Sequence, residues 1–228
     1  MGEPPSRFDF ERVAHAYDAW FHTPRGAAYD RLEKRAVGRL LPRDGGGKEL
    51  LEVGCGTGHW AAFFAARGFR VTGIDISPSM VCLARAKGLS GASFLVADAH
   101  DLPFSSGRFD VAAAITTLEF VRDPERVVAE MVRCVRRPGG VVLVGALNAR
   151  AGVNRRRKES GKPTYRRAQF FSPRELRALL SPWGRVWVGC VGFVPRASFL
   201  VPLAPLADAL GRALRLPRGA LVVGRVVL

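Results

Sequence analysis

Leu50-Leu51-Glu52-Val53-Gly54-Cys55-Gly56-Thr57-Gly58-His59-Trp60 is an apolar run that ends at a carboxylate and passes through three alternate glycines into helix-like sequence. Leu50, Leu51 and Val53 read as a buried strand. The glycines let the backbone approach a ligand closely, and the following helix presents unpaired N–H groups at its start. A dinucleotide turn is spaced G-x-G-x-x-G, whereas Gly54, Gly56 and Gly58 are spaced G-x-G-x-G and His59 stands where the longer pattern needs glycine.

The sequence downstream keeps the strand-helix-strand rhythm. Arg70 to Asp75 reads as a second strand ending in an acid, and a carboxylate there can accept both hydroxyls of a ribose. Ser77-Pro78 supplies cap and first position of the next helix. Ala92 to Ala97 is a third strand, followed by the polar turn Asp98-Ala99-His100-Asp101, in which His100 reads as a loop residue. Phe109 to Ile115 is a fourth strand, whose end at Thr116 lies where open α/β sheets bind ligands. Asp123-Pro124 caps a helix that leads through Arg137-Pro138-Gly139-Gly140 into a fifth strand, Val141 to Gly145.

Glu52 with the G-x-G-x-G string resembles motif I of the class I S-adenosylmethionine (SAM) dependent methyltransferases, and the Arg-Pro-Gly-Gly turn resembles a signature widespread in that superfamily. The chain is similar to the methyltransferase type 11 group, which includes the ubiquinone and menaquinone ring C-methyltransferases. The resemblance covers about residues 15 to 147. It implies a Rossmann-like α/β fold, a seven-stranded, mostly parallel sheet of order 3-2-1-4-5-7-6 with the last strand antiparallel. It also implies SAM as cofactor, and S-adenosylhomocysteine as its product. The residues expected to hold it are Tyr17, Glu52, Gly54, Cys55, Gly56, Thr57, Gly58, Asp75, Ile76, Met80, Asp98, Ala99 and Thr116. Of these, Asp98 and the Ala99 N–H would take the adenine edge, and Thr116 the methionine end. Where related small-molecule enzymes often show Leu-Glu-His-Val, this chain has Leu118-Glu119-Phe120-Val121, so a histidine base at that site is excluded. His15, His22, Tyr29 and Glu119 are candidate bases, and none is assigned as catalytic.

The rest divides around that core. Residues 1–47 are expected to form cap helices: one begun by Ser6 with Asp9 three residues on, carrying His15, Tyr17, Trp20 and Phe21, and a second restarted at Thr23-Pro24. Trp20 and Phe21 read equally as pocket lid or as core. Residues 48–147 are the SAM-binding core. Residues 148–170 contain the local charge anomaly, with Arg150, Arg155, Arg156, Arg157, Lys158, Lys162, Arg166 and Arg167 against the single acid Glu159. This basic segment is either a lid over an anionic substrate or a solvated loop. In 171–228, Ser172-Pro173 caps a helix, Trp183 to Val194 is a strand, Phe199 to Leu206 reads as core filler broken by prolines, Asp208 to Leu214 as a short helix, and Ala220 to Leu228 as the final strand. The whole is read as one domain.

The formal net charge of +15 invites a nucleic-acid partner, yet nearly all the 35 basic residues are arginines spread along the whole chain. That spread favours a general compositional habit over a nucleic-acid face. The chain lacks the Asn/Asp-Pro-Pro-aromatic tetrapeptide of base-amino methyltransferases and a Pro-Cys pair for cytosine carbon methylation. It also lacks the Tyr-x-x-x-Lys of one large reductase family. Cys55, Cys82, Cys134 and Cys190 form no C-x-x-C pair, so neither zinc nor disulfides are expected, and reduced thiols fit a cytoplasmic protein. Met1-Gly2 with Ser6 matches a myristoylation pattern that nothing else supports. No membrane span is expected, while peripheral membrane contact and oligomeric state are left open. The reading is methyl transfer from SAM to a small acceptor, quinone-like, lipid or another metabolite. The alternative is a non-catalytic or RNA-directed SAM-binding protein that uses residues 150–167.

Overall fold

Near-continuous burial, the mark of strands covered on both faces, runs through the centre of the sheet. A computed structural model describes residues 6, 8, 10–43 and 45–228. Its strands are β1 (Glu49–Val53), β2 (Arg70–Asp75), β3 (Ala92–Val96), β4 (Val111–Ile115), β5 (Val141–Leu147), β6 (Arg185–Val191) and β7 (Leu221–Val227). They form one sheet of order β3-β2-β1-β4-β5-β7-β6. The β3-β2-β1-β4-β5 pairs are parallel, whereas β7 runs antiparallel to both β5 and β6. The expected topology is therefore present.

Leu50, Val111, Ala113, Ile115 and Leu143 point to one apolar cluster, and Leu51, Val53, Ala112, Ala114 and Val144 to the other. Helices α1 (Pro24–Leu40), α2 (His59–Ala65) and α3 (Pro78–Ala86) cover the first face with Leu32, Val37, Ala61, Phe64 and Val81. The second face is covered by α4 (Pro124–Cys134) and by α7 (Pro173–Leu180), which follows the short α5 (Gly152–Glu159) and α6 (Pro163–Arg166). Met131, Leu176 and Leu180 are wholly buried there, each contributing about 1.5–3 kcal/mol. Gly224 in β7 is the point of closest approach: a Cβ on it would sit 2.6 Å from Leu180 Cδ1. The helix starts were legible, since Thr23, Ser77, Asp123 and Ser172 each cap the helix that a following proline opens, and Ser172 forms a capping box with Glu175.

Several expectations are corrected. Ser6 begins no helix. It bridges Val121 in antiparallel fashion, and its hydroxyl donates to the Phe8 carbonyl at 2.8 Å. Asp9 and the Met1-Gly2 pattern lie outside the described residues. The first cap element is a 3-10 segment, Glu11–His22, and among the described residues α1 is the only full helix before β1. Within residues 150–167 the chain forms α5 and α6, joined by residues 160–162. β4 starts two residues late because Phe109 pairs instead with Val135 beside the sheet. Ser181–Trp183 is a 3-10 turn, so β6 is shorter than 183–194. Ser198–Leu203 is another 3-10 turn leading into α8 (Ala204–Ala213). Phe199 is no core filler, being 81% exposed.

Candidate functional site

β1, β2, β3 and β4 all end at one edge of the sheet, and a cavity of about 320 Å³ opens there. The glycine turn forms one wall. Gly54 and Gly56 have φ of 73° and 51°, and Gly58 at 79° is the left-handed N-cap of α2. A side chain on Gly54 would collide with Thr117, whose hydroxyl donates to the Val53 carbonyl at 3.0 Å. A Cβ on Gly56 would have its nearest neighbour, Tyr17, at 4.0 Å, so the turn leaves an open cradle beneath that ring.

Acids are arranged around the cradle. Asp75, at the end of β2, accepts the Gly56 N–H at 2.9 Å and the Ser77 N–H at 3.0 Å, so it shapes the turn as well as facing the cavity. Asp98 accepts from its neighbour His100 twice, from the backbone N–H at 2.9 Å and from Nδ1 at 2.7 Å. The Asp123 N–H approaches His100 Nε2 at 3.3 Å, which makes Nε2 the acceptor and leaves the proton on Nδ1. Glu52 is 2% exposed and one of its oxygens, Oε2, has no hydrogen-bond partner among the described residues. Burial, then the Asp75 charge, hold its carboxyl well above the usual range. A buried carboxyl oxygen without a partner costs stability unless a bound group supplies one.

All the expected cofactor residues line the cavity except Glu52, Thr57 and Gly58. Glu52 lies behind the wall. Thr57 is spent on the cap, donating to Asp18 Oδ1 at 2.6 Å, and the space beside Gly58 is filled by Phe94 and Ala84. Tyr17 lines the cavity above Gly56: it is hydrogen-bonded to Thr116 and senses the charges of Asp75 and Tyr165. Burial raises its phenol, and the Thr116 bond only moderates this. Thr116 itself has φ of 52°, a strained conformation for a β-branched residue, at the end of β4.

The remaining wall comes from the cap and the basic segment. Trp20 stacks on Tyr29 with ring centroids 6.5 Å apart, and Phe21 lies flat on His59 at 3.7 Å. Arg157 of α5 reaches over Trp20 at 5.5 Å and over Tyr165 of α6 at 5.6 Å. Of the basic residues in 150–167, Arg157 lines the cavity, while Arg155, Arg156, Lys158, Lys162, Arg166 and Arg167 are exposed. The segment thus lines the cavity through Arg157, Thr164 and Tyr165 and is exposed on its outer face.

Of the candidate bases, His15 and His22 are exposed and Tyr29 lines the cavity. Glu119 is wholly buried, accepts the Leu147 N–H and does not line it. Burial pushes its carboxyl up to about 7. The sequence reading missed Asp30 and Glu33 on α1. Asp30 is already paired with His59 at 2.6 Å and Lys34 at 3.0 Å. Burial would raise its carboxyl, but those two bonds hold it below the usual range. Glu33 lines the cavity and its carboxyl has no hydrogen-bond partner among the described residues. Burial pushes it up to about 8 against the lowering pull of Arg157, with Asp30 and Glu119 adding to the rise. The available signal was spacing: Tyr29 and Glu33 stand four residues apart, on one helix face.

A family model described as a methyltransferase domain matches residues 25–184. The chain belongs to the methyltransferase-domain family. The cofactor of this methyltransferase is SAM, and the glycine cradle and the strand-end acids that line the cavity suit a polar nucleoside with a charged tail. A SAM-dependent methyltransferase from Thermotoga maritima, titled as a possible histamine N-methyltransferase, superposes with a TM-score of 0.74 at 28% identity, over 96% of this chain and 97% of that one. A malonyl-[acyl-carrier protein] O-methyltransferase of Serratia marcescens is 33% identical over 61% of this chain and 51% of its own, so the methyltransferase spans about half the length of that relative. A phosphatidylethanolamine N-methyltransferase of Cereibacter sphaeroides is 34% identical over 60% of this chain and 68% of its own. No helix among the described residues is long and apolar enough to cross a membrane.

Proposed function

We propose that this methyltransferase acts on a nitrogen of a small, largely apolar acceptor, with Glu33 as the general base. The observation that carries the reading is the Glu33 carboxyl, with no hydrogen-bond partner among the described residues, in an aromatic-walled cavity that also contains the glycine turn. When bound, SAM supplies a methyl group already made electrophilic by its sulfonium. The chain's own tasks are alignment, exclusion of water and removal of one proton. Asp75 is proposed to take the ribose hydroxyls, Asp98 and the Ala99 N–H the adenine edge with Ile76 and Met80 against the ring. Gly54, Cys55, Gly56, Thr116 and Tyr17 are assigned to the methionine part, with Glu52 behind them at the end of β1. Thr57 and Gly58 support the turn.

Trp20, Tyr29 and Tyr165 offer ring faces to an ammonium, and Glu33 offers it a carboxylate. A carboxyl near 8 is a far better match for an amine proton than one at the ordinary carboxylate value. The sequence leaves the acceptor open as quinone-like, lipid or another metabolite, and an amine is favoured because Glu33, which lines the cavity, is an acid with no hydrogen-bond partner among the described residues. Arg157, by contrast, is engaged by Asn154 at 3.0 Å. A second reading, an acceptor that also carries an anionic group, rests on that same Arg157, which lines the cavity.

The test is methyl-labelled SAM with the pure protein and separate pools of apolar amines, carboxylic acids, quinols and RNA. Label entering amines, and lost from them in Glu33→Gln, is the expected result. Label entering RNA alone, or only alkali-labile esters, overturns the reading.

A further inference from the structure

α8 is fixed by its polar side, which is the reverse of an ordinary surface helix. Its inward residues are Ala204, Asp208 and Gly211. Asp208 is 2% exposed, accepts the Gly192 N–H at 2.8 Å and pairs with Arg212 at 2.7 Å. Gly211 lies so close to the Phe193 ring that a Cβ there would come within 2.6 Å of it. These contacts set the rotation of the helix and leave its leucines outward. Leu203, Leu206, Leu210 and Leu214 are 53%, 70%, 59% and 60% exposed, and Phe199 just before them 81%. Their spacing of three, four and four residues is that of one helical stripe. Several large apolar side chains on one stripe are more than the scattered exposed leucine of ordinary surfaces.

The charges around the stripe are of one sign. Arg196, Arg215 and Arg218 are exposed, and no ion pair engages them among the described residues. Asp208 is the sole acid between residues 192 and 220, and it is buried and already paired. A second copy of the chain packed stripe to stripe would bring the same arginines together with no acid to meet them. An anionic bilayer supplies both an apolar layer for the leucines and negative headgroups for the arginines.

We propose that the Phe199–Leu214 face, rimmed by Arg196, Arg215 and Arg218, docks on anionic phospholipid membranes and lies in their interface. The docking is independent of which acceptor is methylated.

The experiment is flotation of the full chain with vesicles of phosphatidylglycerol and phosphatidylcholine, compared with phosphatidylcholine alone, at low and physiological salt. SAM affinity is measured on every variant as proof of folding. The wild type is expected to float with the anionic vesicles only, and less at the higher salt. The pair Leu206→Ser and Leu210→Ser lowers the partition coefficient on the order of tenfold or more. The pair Arg215→Glu and Arg218→Glu removes the preference for phosphatidylglycerol, and both double variants keep wild-type SAM affinity. The proposal is overturned if the wild type binds neither vesicle, or if the serine pair floats as the wild type does. It is equally overturned if the chain sediments as a dimer that the serine pair splits, which would assign the stripe to a second copy.

Discussion

Thr57 Oγ1 donates to Asp18 Oδ1 at 2.6 Å, and Lys87 reaches the other oxygen of that carboxylate at 2.6 Å. One acid of the cap thus ties the glycine turn and the end of α3 to the segment that carries Tyr17. Burial pushes Asp18 up, but the Lys87 and Thr57 bonds outweigh it and hold the carboxyl below its usual range. A lowered acid contributes stability above its unfolded value, about pH 4, and loses it as pH falls through the lower folded one. Asp18→Asn removes the charge while keeping the shape. Calorimetric titration at neutral pH is expected to show SAM affinity reduced roughly three- to tenfold. An unchanged affinity would mean that the cap plays no part in holding the cofactor.

Asp75 does two jobs, because the carboxylate proposed to take the ribose also receives the Gly56 and Ser77 N–H groups. Asp75→Ala should weaken SAM and S-adenosylhomocysteine binding by about a hundredfold, the loss of charge-assisted bonds on both sides. Asp75→Asn retains an acceptor oxygen and should lose less. Equal titration curves for wild type and the alanine variant would place the ribose elsewhere.

What the chain disclosed in advance follows from how local each signal is. The sheet was legible because its strands are short apolar runs closed by glycine or acid, and because four helices open on a capping residue followed by proline. That Asp75 and Asp98 line the cavity was legible because both stand at the ends of consecutive parallel strands, next to the glycine turn. Glu33 was not. On α1 it stands among Asp30, Arg31, Lys34 and Arg35 and reads as part of a solvated face until the 3-10 segment and α5 fold over it. That Thr57 turns to the cap was hidden for a related reason: its partner Asp18 lies 39 residues away, in a segment whose geometry no periodicity encodes. The outward leucines of α8 likewise look like core, since composition cannot say that Asp208 turns inward instead.

His100 is a turn residue, as expected, and it also lines the cavity and holds Asp98 by two hydrogen bonds. Its ring, fixed by the Asp123 N–H, orients the carboxylate proposed to meet adenine. His100→Ala leaves Asp98 the backbone bond alone. SAM affinity should fall about three- to tenfold, the worth of one charge-assisted hydrogen bond partly replaced by water. His100→Asn, which keeps a donor close by, should recover part of it. If both variants bind SAM as the wild type does, Asp98 needs no positioning partner.

Glu33→Gln tests the base directly. It removes the acid while keeping size and a polar end, so SAM affinity should hold and turnover of an amine acceptor should fall on the order of a hundredfold or more. In the wild type, kcat/KM should rise with pH and level off above about 8, where Glu33 has lost its proton. That limb should vanish in the variant. Stability moves the other way. The folded carboxyl is raised above its unfolded value of about 4.5, so between the two values the native state binds more protons than the unfolded one. Wild-type stability therefore declines as pH climbs from about 4.5 to about 8 and is flat with respect to this group beyond it. Glutamine never ionises, so the variant should melt higher than the wild type at pH of about 8.5 and lose most of that advantage near pH of about 5. A variant that turns over amines normally, or one whose melting temperature tracks the wild type at both pH values, would remove Glu33 from the chemistry.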